Sequence, residues 1–138
     1  MKPVIQEEIS GCGIAASAAI AGVSYREAKT VANRLGIYAQ DQTLWSETQP
    51  VRILLAQFGW EVENTPLPFK VWKTLPDLAL LATKWHLEQG KPFWHWAVFV
   101  RDASGSYVLD SKQSLKQHTR KDFGRIKPKW YLPVRPEL

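Results

Sequence analysis

The hydrophobic period of this chain changes once, close to Gly59, and that change restricts the folds open to it. Before Gly59 the apolar residues recur at helical spacing. The segment SYREAKTVANRLG places Tyr25, Ala28, Val31, Ala32 and Leu35 on one helical face. Ser24 and Glu27 form a capping-box pair, and Gly36 follows as a stop. An Ala-rich run predicts an earlier helix over Cys12 to Ala21, closed by Gly22. A third is predicted through QPVRILLAQFG, with Thr48 as cap, Pro50 in the first turn and Gly59 as stop.

After Gly59 the period shortens towards two. WEVEN (60–64) alternates, and LALLAT (78–83) is an apolar run equally compatible with a buried strand or a helix. HWAVFV (95–100) and YVLD (107–110) flank the turn-rich RDASGS, which predicts a β-hairpin with His95 opening its first strand. WYLPV (130–134) predicts a last strand, and Pro133 places it at a sheet edge or a strand end. Helices first and an antiparallel sheet afterwards predict an α+β domain. No repeat or low-complexity linker divides the 138 residues, so one domain over 1–138 is expected.

The +5 net charge is unevenly placed. Residues 111–138 hold eight Lys and Arg against Asp122 and Glu137, whereas residues 1–110 hold ten basic and eleven acidic residues. A basic terminal segment suits an anionic partner, but a solvated basic loop is the simpler expectation, and no nucleic-acid-binding motif accompanies it. No run reaches the roughly 20 apolar residues of a membrane helix. ISGC imitates a lipoprotein cleavage site, yet Glu7 and Glu8 occupy the place of an apolar signal core. A cytoplasmic protein without signal peptide or lipid anchor is therefore expected, with non-classical export left open.

The lone cysteine carries the strongest chemical signal. In QEEISGCGIAASAAIAG (6–22), Cys12 stands between Gly11 and Gly13 at a predicted helix start. The positive end of a helix dipole favours a thiolate, which is the nucleophilic form. Flanking glycines remove side chains that would crowd a substrate, which makes Gly11 and Gly13 candidate substrate-binding positions. A thiolate needs a histidine partner, and the histidine needs an orienting group. Of His86, His95 and His118, only His95 sits on a clear strand, and Asp110 closes the partner strand of its hairpin. Gln6 and the Cys12 backbone N–H are candidate oxyanion donors. Trp94 and Trp96 alternate with His95 and are expected on the opposite face, in the core, with one of them, Trp94 foremost, or Trp45 as a candidate cleft residue. His86 and His118 are expected to be structural or surface residues, Glu7 and Glu8 solvated. Cys12, His86, His95 and Asp110 follow no zinc-ligand spacing, so neither metal nor other cofactor is expected.

Gln6, then Cys12-Gly13 at a helix start, then His95 and Asp110 in HWAVFVRDASGSYVLDS resemble the papain-like cysteine peptidases. The pattern is most similar to the compact bacterial branch that removes double-glycine leaders from bacteriocins, and to its stand-alone relatives. The recognisable pieces cover roughly residues 4–36 and 93–111. Ser111 stands where that branch often has proline, Gly13-Ile14 where it often has Gly-Pro or Gly-Leu, and no transporter or ATPase part is present. The resemblance implies a papain-like α+β fold. It also implies Cys12 as nucleophile, His95 as base and then acid, Asp110 as orienting group and Gln6 in the oxyanion hole, acting on a peptide or protein through a thioester. A same-triad acyl transferase or deamidase, and a non-catalytic peptide-binding module, are the alternative readings.

Overall fold

The computed structural model describes residues 1–138 and is an α+β arrangement of three helices followed by seven antiparallel strands. The helices are α1 (Cys12–Ala21), α2 (Tyr25–Arg34) and α3 (Gln49–Gln57). Their stops behave as glycine stops should, with Gly22, Gly36 and Gly59 all at positive φ. The Ser24 hydroxyl accepts a hydrogen bond from the Glu27 N–H at 3.1 Å and caps α2. Thr48 makes no such cap on α3; its hydroxyl accepts instead from Arg52. None of these helices is long and apolar enough to cross a membrane.

The strands are β1 (Trp60–Val62), β2 (Leu67–Pro68), β3 (Leu78–Glu88), β4 (Lys91–Asp102), β5 (Gly105–Leu109), β6 (Thr119–Arg120) and β7 (Trp130–Pro136). Their order is β1-β7-β3-β4-β5-β6, with β2 also paired to β7. The ambiguous LALLAT run is therefore a strand, and β3 continues to Glu88. Gln89 and Gly90, both at positive φ, return it into β4 through a two-residue turn. His95 consequently lies inside β4 rather than at its start.

β7 is not an edge strand. It lies between β3 and the β1 and β2 segments, with Pro133 opposite Ala79 of β3. Proline is tolerated because its missing N–H would face the side where β1 has already ended. There the Pro133 carbonyl still accepts from the Glu63 N–H at 2.9 Å. The Glu63 carbonyl, which a residue other than proline would have satisfied, accepts from the Arg52 guanidinium, as does the Asn64 carbonyl at 2.6 Å.

The two faces of the sheet bury different clusters. Even-numbered β4 residues Trp94, Trp96, Val98 and Val100 join the three helices in a core of 27 buried residues. Ala97 and Phe99 face the other way, into a smaller cluster closed by Leu75 and Ile126. α1 is buried on every side, against β4, α2 and α3. Its one polar interior residue, Ser17, donates to the Gly13 carbonyl at 2.8 Å.

Replacing Arg52 with Met leaves the Glu63 and Asn64 carbonyls to water. The expected loss of stability is about 1–2 kcal/mol, read as a lower urea midpoint. An unchanged midpoint would mean that the guanidinium does not substitute for the hydrogen bond proline cannot make.

Candidate active site

Cys12 is the first residue of α1 and is 5% exposed. Its backbone N–H lies in the first turn, where no intrahelical acceptor exists, and no other backbone carbonyl takes it. The preceding turn is closed by Gly11, whose N–H donates to the Glu8 carbonyl at 3.0 Å.

At both glycines the space a side chain would need is filled by the protein's own packing. A Cβ on Gly11 would lie 2.1 Å from the Tyr25 hydroxyl, and one on Gly13 would lie 2.9 Å from Leu44 Cδ1 and 3.2 Å from Trp96 Cδ1. Both positions are buried. Their missing side chains let α1 settle onto α2 and β4 and so set the depth of Cys12.

His95 and Asp110 meet across the β4–β5 hairpin. The pairing of Val98 with Leu109 makes Asp110 the diagonal neighbour of His95 on one face, not its direct opposite. His95 Nε2 donates to Asp110 Oδ1 at 2.8 Å. That leaves Nδ1 as the ring nitrogen able to exchange a proton with the Cys12 sulfur. The pair is well shielded, with side chains 14% and 5% exposed.

Asp110 is held from three further directions. Arg120 Nη1 donates to its Oδ2 at 3.0 Å, the Lys112 N–H donates to Oδ1 at 3.2 Å, and its own N–H donates to the His118 carbonyl at 2.9 Å. Burial alone would raise its pKa. The hydrogen bonds from His95, Lys112 and Arg120 and the charge on His95 overcome this and hold the carboxyl far below the usual carboxylate range. Burial likewise opposes a charge on His95. Its contacts with Asp110 and Cys12 outweigh that and push its pKa up to about 9.

Nothing in the sequence singles out Arg120. It comes from β6, a two-residue strand with no periodic signature, paired through Val108 opposite Arg120.

Gln6 is buried and bonded to the residue after Asp110, but its amide is engaged. Nε2 donates to the carbonyls of Glu8 at 2.9 Å and Ile9 at 2.7 Å, and Oε1 accepts from the Ser111 hydroxyl at 2.8 Å. The Gln6 N–H also donates to the Ser111 carbonyl at 3.0 Å. Gln6 thus ties the 7–10 loop to the residue that follows Asp110.

Glu8 is not simply solvated. It accepts from Tyr25 at 2.7 Å and Gln40 at 2.8 Å and pairs with Lys29 at 3.2 Å. These contacts fasten the same loop to α2 and the segment after it.

Cys12 and His95 open onto a cavity of about 270 Å³. Trp94 and Trp45 line it, with Ile9, Ser10, Lys84 and His86. Trp94 is both core and cleft wall. It packs edge-on against Trp96 and Trp130 at 5.5 and 4.8 Å. Its indole N–H has no hydrogen-bond partner. Lys84 and His86 enter through a register shift between Thr83 and His86, where Lys84 takes φ +52°. A bulge of this kind leaves no mark on a hydrophobic pattern. His118 stays away from the cleft and bonds the Lys112 carbonyl at 3.0 Å.

The raised pKa of His95 links the site to stability. The contribution is complete below the ordinary imidazole value of about 6.5 and fades as pH rises through about 9. Across that window the urea midpoint of the wild type should fall more than that of His95→Gln. Parallel curves would assign the loss to other groups. Compared with known proteins, the chain matches no family model and no curated protein sequence.

Proposed function

We propose that the chain is a cysteine peptidase of papain-like architecture that hydrolyses a peptide bond through Cys12, His95 and Asp110. The observation that carries this reading is the convergence of the three residues. The only cysteine, at a helix start, shares a cavity with a half-buried histidine whose far nitrogen is bonded to a buried carboxylate at 2.8 Å. A helix carrying the thiol packed on an antiparallel sheet carrying the other two residues is the division of labour that the papain-like resemblance implies.

In the proposed reaction the Cys12 thiolate attacks the scissile carbonyl carbon and forms the C–S bond. The carbonyl electron pair moves to oxygen, where the Cys12 N–H donates to the oxyanion. His95 carries a proton at neutral pH and gives it from Nδ1 to the leaving amine as the C–N bond breaks. A thioester remains. His95, now neutral, takes a proton from water as the water oxygen attacks the same carbon. The C–S bond breaks, and the acid product leaves a thiolate beside an imidazolium. Asp110 keeps the ring aimed and stabilises its charge throughout. Gln6 supplies a second oxyanion donor in this scheme when the Glu8 and Ile9 carbonyls release its amide.

The test combines reactivity with turnover. Cys12 in the wild type should react with iodoacetamide near pH 6, where an ordinary thiol, of pKa about 8.5, is almost inert. His95→Ala should lose that low-pH reaction. Cys12→Ala should abolish cleavage of a mixed peptide digest, followed by mass spectrometry, while keeping the wild-type circular dichroism spectrum. Cleavage retained by Cys12→Ala would overturn the nucleophile assignment.

A further inference from the structure

Beside the nucleophile cleft lies a second cavity, of about 430 Å³, and its chemistry is unlike the first. Lys84, Arg120, Arg125, Lys127 and Lys129 line it. Its one acidic residue is Asp110, already bonded to both His95 and Arg120. Lys84, Arg125, Lys127 and Lys129 have no carboxylate within salt-bridge distance anywhere in the structure. Lys129 rests instead over the Trp85 ring, 4.8 Å from its centre. Four uncompensated cations facing one concavity repel one another, and concave walls focus their field.

The backbone holds this cluster in place. In Arg125-Ile126-Lys127-Pro128-Lys129 the burial alternates, with Ile126 and Pro128 inward and the three cations exposed. Ile126 is 6% exposed and packs in the smaller core cluster. The Lys129 N–H donates to the Ala82 carbonyl of β3 at 2.8 Å. The segment is therefore a fastened strap rather than a loose tail, and its cations face the cavity by a period-two pattern. Opposite, Lys84 is turned out by the β3 bulge at φ +52°, a backbone conformation that strains a residue other than glycine. Lys112 beside it, and burial, lower its pKa from the usual ammonium value, the reverse of what a partnered lysine shows.

Lys84 lines both cavities. A chain lying over Cys12 reaches the cationic cavity by passing that one side chain. We propose that the cationic cavity is the specificity subsite of the same active centre, and that it seats the carboxylates of an acidic segment of the peptide substrate. The inference rests on the peptidase reading for the word substrate, but the subsite itself is a matter of binding. A peptide carboxylate suits the cavity in charge and in size, since each seated group gains charge-assisted hydrogen bonds from donors that have no carboxylate partner otherwise. The cavity's position beside the thiol, sharing Lys84 with the nucleophile cleft, favours a peptide over a nucleic acid backbone.

The test uses two synthetic dodecapeptides, alternating Ala-Glu and alternating Ala-Gln, each carrying fluorescein. Binding to Cys12→Ala is followed by anisotropy, and protection of Cys12 from iodoacetamide is followed in the wild type. The acidic peptide should bind and should slow alkylation, and the neutral one should do neither. Adding Arg125→Gln and Lys127→Gln should weaken binding about tenfold or more and remove the protection. Protection is read in each variant as the ratio of alkylation rates with and without peptide, so that any effect of the lost charges on the free thiol cancels. Removing two cations elsewhere, with Lys70→Gln and Lys73→Gln, should change neither readout.

Equal binding of both peptides, or equal loss in the remote variant, would overturn the subsite. Inorganic phosphate that protects Cys12 as well as the acidic peptide does would also overturn it, in favour of a phosphate site. A Cys12 inert to iodoacetamide at every pH would overturn the peptidase reading alone, because anisotropy reports the cavity independently of the thiol.

Discussion

Helix α1 has no polar face, and such a helix needs neighbours on every side. Nine of its ten residues are buried, between β4 below and α2 and α3 around it. Burying Ile14 and Ile20 alone supplies several kcal/mol, at about 1.5–3 kcal/mol per large aliphatic side chain. The alanines between them bring the backbone close enough for β4 to touch it. Because α1 is gripped along its whole length, its first residue cannot drift, and Cys12 is delivered to a fixed point beside His95. Gly11 and Gly13 belong to that grip: Tyr25 fills the space beside one, and Leu44 with Trp96 the space beside the other.

A buried carboxylate would be costly on its own, and the site answers that cost with a crowd of donors. His95, Arg120 and the Lys112 N–H all converge on Asp110. The result is a carboxylate that stays ionised and a histidine that stays charged at neutral pH. Arg120 is shared with Asp122, at 2.7 Å, so the anchor extends from the hairpin into the segment beyond it. The same residue forms a wall of the cationic cavity. Electrostatics that orient the imidazole and electrostatics that face outward to an anion are thus built from one continuous set of side chains.

The N-terminal segment closes the other side. Gln6 bridges Ser111 to the carbonyls of the 7–10 loop, and Glu8 fastens that loop to Tyr25, Lys29 and Gln40. A single short stretch therefore connects the residue after Asp110, the helix that bears the thiol and the second helix. Movement of this loop is what would release the Gln6 amide.

The three helices, their glycine stops and the switch to strands at Trp60 were legible in the residues because capping, period and glycine conformation act within a few positions. The meeting of His95 with Asp110 was legible because a short hairpin constrains both, although its diagonal form depended on the register. Other features were decided by contacts between distant segments. β7 joined the sheet interior because β1 stops short of Pro133 and Arg52 covers the exposed carbonyl. Arg120 reached Asp110 through a two-residue strand, and Lys84 reached the cleft through a bulge. The glycines beside Cys12 face the core, not the cleft. The sequence by itself determined the elements, their order and the residue types available for the proposed chemistry, because those follow from residue identity and short-range geometry. Only the tertiary structure decided the depth of the thiol, the engagement of the Gln6 amide and the cationic cavity beside the cleft, because each depends on packing between segments far apart in the chain.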